Sequence, residues 1–326
     1  DEDDAAMEQV TLEVEAGGAG IVDYLADAMP DVPLNVIRRL VARGRVEVEG
    51  RRVDHLWQTA PGQRIVVTLP EEPIVRFQPE PLDLDVLHED AHLLAVSKPV
   101  GLSVVPDPCS LECRFINGLL HYVRHESPQP CQRVYIVHRL DKETSGVLLV
   151  GKDAATGRYL SERFERREVT KVYLALVRGE VADDEGEVDR AIAQHTGGRM
   201  RLRERRGKPS RSRYRVAERF RGFTLVEVRP LTGRQHQVRL HMSAIGHPLA
   251  VDRLYGGGEG VFLSEFKAGY RPKPDRPERP LIDRLTLHAL RLELILPDGA
   301  PIVVEAPLPD DLRRVLRALR KYGAAV

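Results

Sequence analysis

His138-Arg139-Leu140-Asp141-Lys142-Glu143-Thr144-Ser145-Gly146 lies between two apolar runs, Val134-Tyr135-Ile136-Val137 and Val147-Leu148-Leu149-Val150. Two runs rich in β-branched residues around a polar break predict strand, loop, strand. Loops held by rigid strands are where catalytic groups concentrate. This one sets the Asp141 carboxylate between Arg139 and Lys142, with Gly146 read as the residue that permits a tight turn. The pattern suits an attacking group in a basic site. The alternative is an Asp that caps a turn while Thr144 and Ser145 bond to local backbone.

The string HRLDKETSGVLLV resembles the signature of the RluA-type pseudouridine synthases. The resemblance implies that Asp141 attacks a uridine and that Arg139 enters the RNA. Further matches follow in the family's order. HEDAHLLAVSKPVGLSVVP is similar to the family's first motif, which starts the sheet. KVYLALVRG resembles the second, and implies that Tyr173 lines the uridine pocket. TGRQHQVRLH, followed by Gly246-His247-Pro248, resembles the third. That match implies that Arg239 pairs with the nucleophilic Asp141 and that Arg234 and His236 contact RNA. Where the family usually has Gly before Asp and Leu-Tyr-Gly, this chain has Val251-Asp252-Arg253-Leu254-Tyr255-Gly256, which questions the backbone at Val251. Leu287-His288-Ala289 resembles a closing motif at the pocket wall, with His288 read as structural.

With 326 residues and 42% apolar content the chain can bury a sizeable core, and its length suggests two domains. Lys plus Arg and Asp plus Glu each total 49, so binding of a polyanion must come from local segregation of charge. Three cysteines argue against a disulfide framework and suit a reducing cytoplasm, the expected location. No signal or membrane stretch is apparent. The DEDD opening, without Met, is read as a trimmed or disordered start outside the fold.

Residues 10–69 read as one small module: a strand at Val10 to Val14, helices at Ile21 to Ala28 and Leu34 to Ala42, and strands at 46–48 and 65–67. Arg38, Arg39, Arg43, Arg45 and Arg51 cluster on and after the second helix. NVIRRLVARGRVEVEGRRV resembles the small alpha-L RNA-binding module of the ribosomal protein S-four type, which implies that this basic face meets RNA backbone. Residues 70–81, dense in proline, are expected to form an extended linker, and residues 82–326 the catalytic domain. Arg199 to Arg215 holds nine Lys or Arg against one Glu, and is read as a basic β-hairpin around Gly207-Lys208-Pro209. Gly256 to Pro280 reads as a surface excursion.

Cys109, Cys113, His121, His125 and Cys131 have spacings that could make a zinc site, and His236, His241 and His247 could be joined in the same way. The first histidines sit on a helical pattern and the second group lacks an acidic or sulfur ligand, so no metal is expected.

The expected fold is α+β, with a mixed or antiparallel central sheet and a small N-terminal alpha-L domain. The expected activity is isomerisation of specific uridines in RNA, ribosomal in preference to transfer RNA, by a monomer with no external cofactor and no membrane. Two other classes compete with it. A nucleoside glycosidase that retains configuration needs a second carboxylate about 5 Å from the first, and Glu143 is the nearby candidate. A non-catalytic RNA-binding protein would have no use for the Asp, Tyr and Arg set.

Overall fold

The computed structural model describes residues 9–70, 77–104, 114–195, 199–205, 207–271 and 277–324. The chain divides into two compact units, one of Asp1–Asp83, Val105–Tyr135 and Lys152–Ala154, the other of Leu84–Val104, Ile136–Gly151 and Ala155–Val326. No helix among the described residues is long and apolar enough to cross a membrane.

In the first unit, β1 (Gln9–Glu13), α1 (Ile21–Ala28), α2 (Leu34–Ala42), β2 (Val46–Val48), β3 (Arg51–Arg52) and β4 (Arg64–Thr68) follow in order. The four strands form an antiparallel sheet in the order β1-β4-β2-β3. Helix α2 buries Val36, Ile37, Leu40 and Val41 and leaves Arg38 and Arg39 exposed, so helical spacing separates core from cations. Positive φ at both Glu49 and Gly50 closes the two-residue turn between β2 and β3, the geometry that matches strand twist. Arg43 and Arg51 are exposed and Arg45 is half-buried.

The same unit holds α3 (Arg114–His121) and a π-helical turn, Tyr122–Glu126. Phe115, Leu119, Leu120 and Val123 are buried there. Arg133 Nη2 donates to the carbonyls of Met29 (2.5 Å) and Val32 (2.6 Å), and Arg124 pairs with Asp31 at 2.9 Å. Phe77 is buried, and its N–H donates to Asp31 O. Cys109 and Cys113 lie outside the described residues, among which no group of His, Cys, Asp or Glu is arranged to hold a metal.

The remaining strands are β5 (Asp85–Glu89), β6 (Leu93–Lys98), β7 (Tyr135–Ile136), β8 (Ser145–Gly151), β9 (Thr170–Arg178), β10 (Glu185–Asp189), β11 (Ile192–Gln194), β12 (Met200–Leu202), β13 (Arg211–Phe220), β14 (Phe223–Pro230), β15 (Leu287–Ile295) and β16 (Pro301–Glu305). The helices are α4 (Ala154–Glu165), α5 (Gln237–Ala244) and α6 (Asp310–Tyr322). The main sheet of the second unit runs β10-β13-β14-β9-β15-β8-β6-β5, with β16 beside β15. Along that order, and between β15 and β16, the pairs are antiparallel except β15 with β8, so the sheet is mixed, as expected.

That parallel pair corrects the reading of Gly146. The residue lies inside β8, not in a turn, with φ +118, and a Cβ there would come within 2.1 Å of Ala289 O. Only glycine meets both demands. Two further readings change. The basic segment is not one hairpin, since β12 pairs with β11 while β13 joins the main sheet. Residues 256–280 are not wholly a surface excursion either, because Val261 and Phe266 are buried in the cluster that also holds Leu312, Val315 and Leu319 of α6. Val251 is buried in that cluster as well and does not have positive φ, so the side chain is accommodated with ordinary backbone.

Candidate active site

A cavity of about 620 Å³ opens in the second unit, and Arg139, Asp141, Tyr173, Arg234, His236 and Arg239 all line it. Three pieces of chain bring them together. The loop before β8 carries Arg139 and Asp141, β9 presents Lys171 and Tyr173 on one face, and the segment from β14 into α5 supplies the others. Register aligns Gly146, Ala289 and Tyr173 across β8, β15 and β9, which fixes the pocket tyrosine relative to the Asp141 loop.

Buried polar contacts hold the loop. Lys98 is fully buried, and its Nζ donates to the carbonyls of Pro99 (2.7 Å), Leu102 (3.0 Å) and Lys142 (3.2 Å). Burial brings its pKa down to about 8, opposed by Glu143 and Asp141. The N–H of Thr144 donates to Asp141 O at 3.0 Å, and Gly101 N–H donates to Lys142 O at 2.8 Å. On the facing side Gln237 ties the α5 entrance. Its Oε1 accepts from Thr232 Oγ1 and Arg234 N, while its Nε2 donates to Arg211 O and Ser212 Oγ.

The expected pairing of Arg239 with Asp141 needs amending. Arg239 Nη1 lies 3.6 Å from Asp141 Oδ2, longer than a hydrogen bond, whereas Nε and Nη2 reach Asp252 Oδ2 and Oδ1 at 2.8 Å each. Asp252 also accepts from the N–H groups of Leu254 and Tyr255. Burial alone would lower the Arg239 pKa, but the bonds and charge of Asp252, with Asp141 behind them, raise it. The guanidinium is therefore anchored by one carboxylate and lent to the other, whose side chain keeps 20% exposure toward the cavity.

His236 approaches the same carboxylate, with Nε2 3.8 Å from Asp141 Oδ2. Its backbone is left-handed, φ +56, immediately before α5, a conformation costly for a side-chain-bearing residue. Burial lowers its pKa, against the pull of Asp141. Tyr173 is half-buried, and burial together with the Asp141 charge keeps its phenol protonated well above neutrality. Arg139 is exposed at the cavity edge.

Arg38, Arg39, Arg43, Arg45 and Arg51 belong to the first unit and are not among the cavity's lining. Glu143 is exposed and also does not line the cavity. His241 is an internal strut, facing Ser212 Oγ and Arg190 O. His288 is one too, with Nε2–H donating to Ala306 O and Nδ1 accepting from Ser145 Oγ. Sequence reasoning quoted the motifs that hold Lys98, Gln237, Asp252 and Tyr255 but gave these four residues no role. The string Asp252-Arg253-Leu254-Tyr255-Gly256 was a usable signal, because it repeats a family pattern beyond the third motif.

A family model described as RNA pseudouridylate synthase matches residues 92–244. The chain is 34% identical to an uncharacterized RNA pseudouridine synthase of Bacillus subtilis (strain 168), covering 96% of this chain and 98% of that one. It is also 34% identical to ribosomal large subunit pseudouridine synthase D of Yersinia pestis, over 93% and 91% of the two chains. Among solved structures, human RNA pseudouridylate synthase domain containing 4 aligns with TM-score 0.55 and 26% identity, covering 72% of this chain and 93% of that one. With a strand-bound Asp-bearing loop, a facing Tyr and a doubly anchored Arg around one cavity, and with such relatives along nearly its whole length, the chain belongs to the RluA-type RNA pseudouridine synthases, isomerases of uridine in RNA.

Proposed function

We propose that the protein isomerises uridines of large-subunit ribosomal RNA, with Asp141 as nucleophile. The observation that carries the assignment is the Asp141 carboxylate itself, partly exposed in a cavity and faced by Arg239, His236 and Tyr173. Asp141 attacks the sugar of an extruded nucleotide and the bond from carbon to N1 breaks. The uracil turns, its C5 bonds to the same sugar carbon as the bond from that carbon to Asp141 breaks, and the C5 proton leaves to solvent while N1 regains one. Every atom of the uracil other than the exchanged protons stays in the product, so no external cofactor is required. Arg239 orients the carboxylate and offsets the cost of enclosing it. Tyr173 forms a wall against the base and limits water access to the intermediate.

Arg139 occupies the place the base vacates. A planar guanidinium stacks on neighbouring bases and bonds to their edges, offsetting an unstacking cost of roughly a few kcal/mol. Residues 10–69 serve as the alpha-L RNA-binding domain, with Arg38, Arg39, Arg43, Arg45 and Arg51 contacting phosphate, and Arg234 and His236 contact RNA at the cavity. The preference for large-subunit RNA rests on the relatives named for that substrate.

Asp141→Asn keeps size and most hydrogen bonding while removing charge. Tritium release from RNA labelled at uracil C5 is expected to fall on the order of 10⁴-fold or more, with RNA affinity retained. Normal release would sink the mechanism. Mapping pseudouridines in cells lacking the protein tests the substrate: losses confined to transfer RNA would move the assignment there.

A further inference from the structure

Tyr255 stands where three parts of the second unit meet: β12, the start of α5 and its own segment from Asp252. Its hydroxyl is 2.7 Å from His236 Nδ1 and accepts from Met200 N–H, the first residue of β12, at 3.3 Å. Its ring lies edge-on to the His236 imidazole, with centroids 5.5 Å apart, and under the Arg239 guanidinium at 5.0 Å. Its own N–H donates to Asp252.

The proton positions follow from counting donors. A phenol has one proton and can accept others. Burial raises the Tyr255 pKa, so the proton is present at neutral pH. The hydroxyl receives the Met200 N–H, and the acceptor in reach of its own proton is His236 Nδ1. In a neutral imidazole, accepting at Nδ1 places the ring proton on Nε2, the atom facing Asp141 Oδ2.

We propose that Tyr255 is a positioning residue that couples the β11–β12 hairpin to the nucleophile: by fixing the His236 tautomer it turns an Nε2–H donor toward Asp141. The inference rests on the assignment of Asp141 as nucleophile. A shift of the basic hairpin on the RNA polyanion, toward which Arg199, Arg201 and Arg203 supply positive charge, would move the Met200 N–H and loosen or tighten this link.

The test uses the full chain with ¹⁵N-labelled histidine. Long-range proton–nitrogen spectra at pH 8 should show His236, assigned by its loss in His236→Gln, as the Nε2–H tautomer. Tyr255→Phe keeps the ring against Arg239 and His236 and removes only the hydroxyl. It should add the Nδ1–H form and slow single-turnover tritium release about tenfold, with RNA affinity unchanged. An Nδ1–H tautomer in the native protein would overturn the proposal. So would a Phe variant with native tautomer and native rate. Retained turnover in Asp141→Asn would count against the nucleophile assignment and leave the tautomer measurement to judge Tyr255 separately.

Discussion

Each unit buries an arginine, and the two are satisfied in opposite ways. Arg133 in the first unit gives its Nη2 to two backbone carbonyls, and burial pulls its pKa down. Arg239 in the second is held by the Asp252 carboxylate with Asp141 nearby, and its pKa goes up despite burial. Carbonyl dipoles can seat a guanidinium but offer it no counter-charge, so Arg133 works as a staple between α1 and the α3 segment. A carboxylate that is already paid for by an anchor leaves Arg239 free to stabilise a second one. Arg239→Met should therefore cost both chemistry and fold: a loss of about 10³-fold in single-turnover tritium release, and about 3–5 kcal/mol in unfolding free energy because Asp252, with no exposure, loses its partner. Arg239→Lys should recover more of the stability than of the rate, since an ammonium supplies charge without the two-pronged geometry. Equal recovery of both would erase the distinction drawn between the two arginines.

His288 sharpens the contrast by acid. Burial holds it near pKa 4, and the unfolded chain titrates near 6.5. A folded value below the unfolded one means that the unfolded state takes up the extra proton as pH falls. The stabilising contribution is full above pH 6.5 and is lost as pH drops toward 4. A difference of this size corresponds to about 3 kcal/mol. Urea unfolding of the native protein should thus weaken across that window, and His288→Gln should flatten the dependence by about one proton. An unchanged slope would mean that His288 is not the group being titrated.

The smallest effect belongs to the staple. Arg133→Met strands the Met29 and Val32 carbonyls, at about 1–3 kcal/mol in unfolding free energy. It also removes a buried Nε that has no partner, which partly offsets the loss. Turnover per folded molecule should stay at the native level. A fall beyond about threefold would give the first unit a part in the chemistry that its arginine's carbonyl partners do not suggest.

Helices and strands were legible because their signals are local. The expected helices at Ile21 to Ala28 and Leu34 to Ala42 have those same limits. Most strand ends agree within two residues. Lys171 and Tyr173 stand two apart, and so on one face of β9, and both line the cavity. What escaped depends on distant pairing. The need for Gly146 arises from Ala289, the anchor of Arg239 stands 13 positions further on, and the Arg133 bonds reach across 104 and 101 positions. Resemblance singled out residues that line the cavity, and it could not show which carboxylate holds the arginine more tightly, because Asp141 and Asp252 stand in separate patterns, HRLDKETSG and VDRLYG. The basic segment misled for a related reason. Charge density says that a strand faces phosphate, but nothing local says whether β12 should choose β11 or β13.

The parallel pairing of β8 with β15 also dictates an order of events in synthesis. Ser145 and His288, which are hydrogen-bonded, are separated by 143 positions. The Asp141 loop leaves the ribosome with its first strands, yet the backbone that presses on Gly146 and the Leu287 side chain that closes the cavity emerge nearly half a chain later. Contacts so far apart are made late, since the loop between them must first be closed. A nascent chain that has not reached β15 therefore carries Asp141 without a finished cavity, and modification of RNA is expected to begin only when synthesis is almost complete.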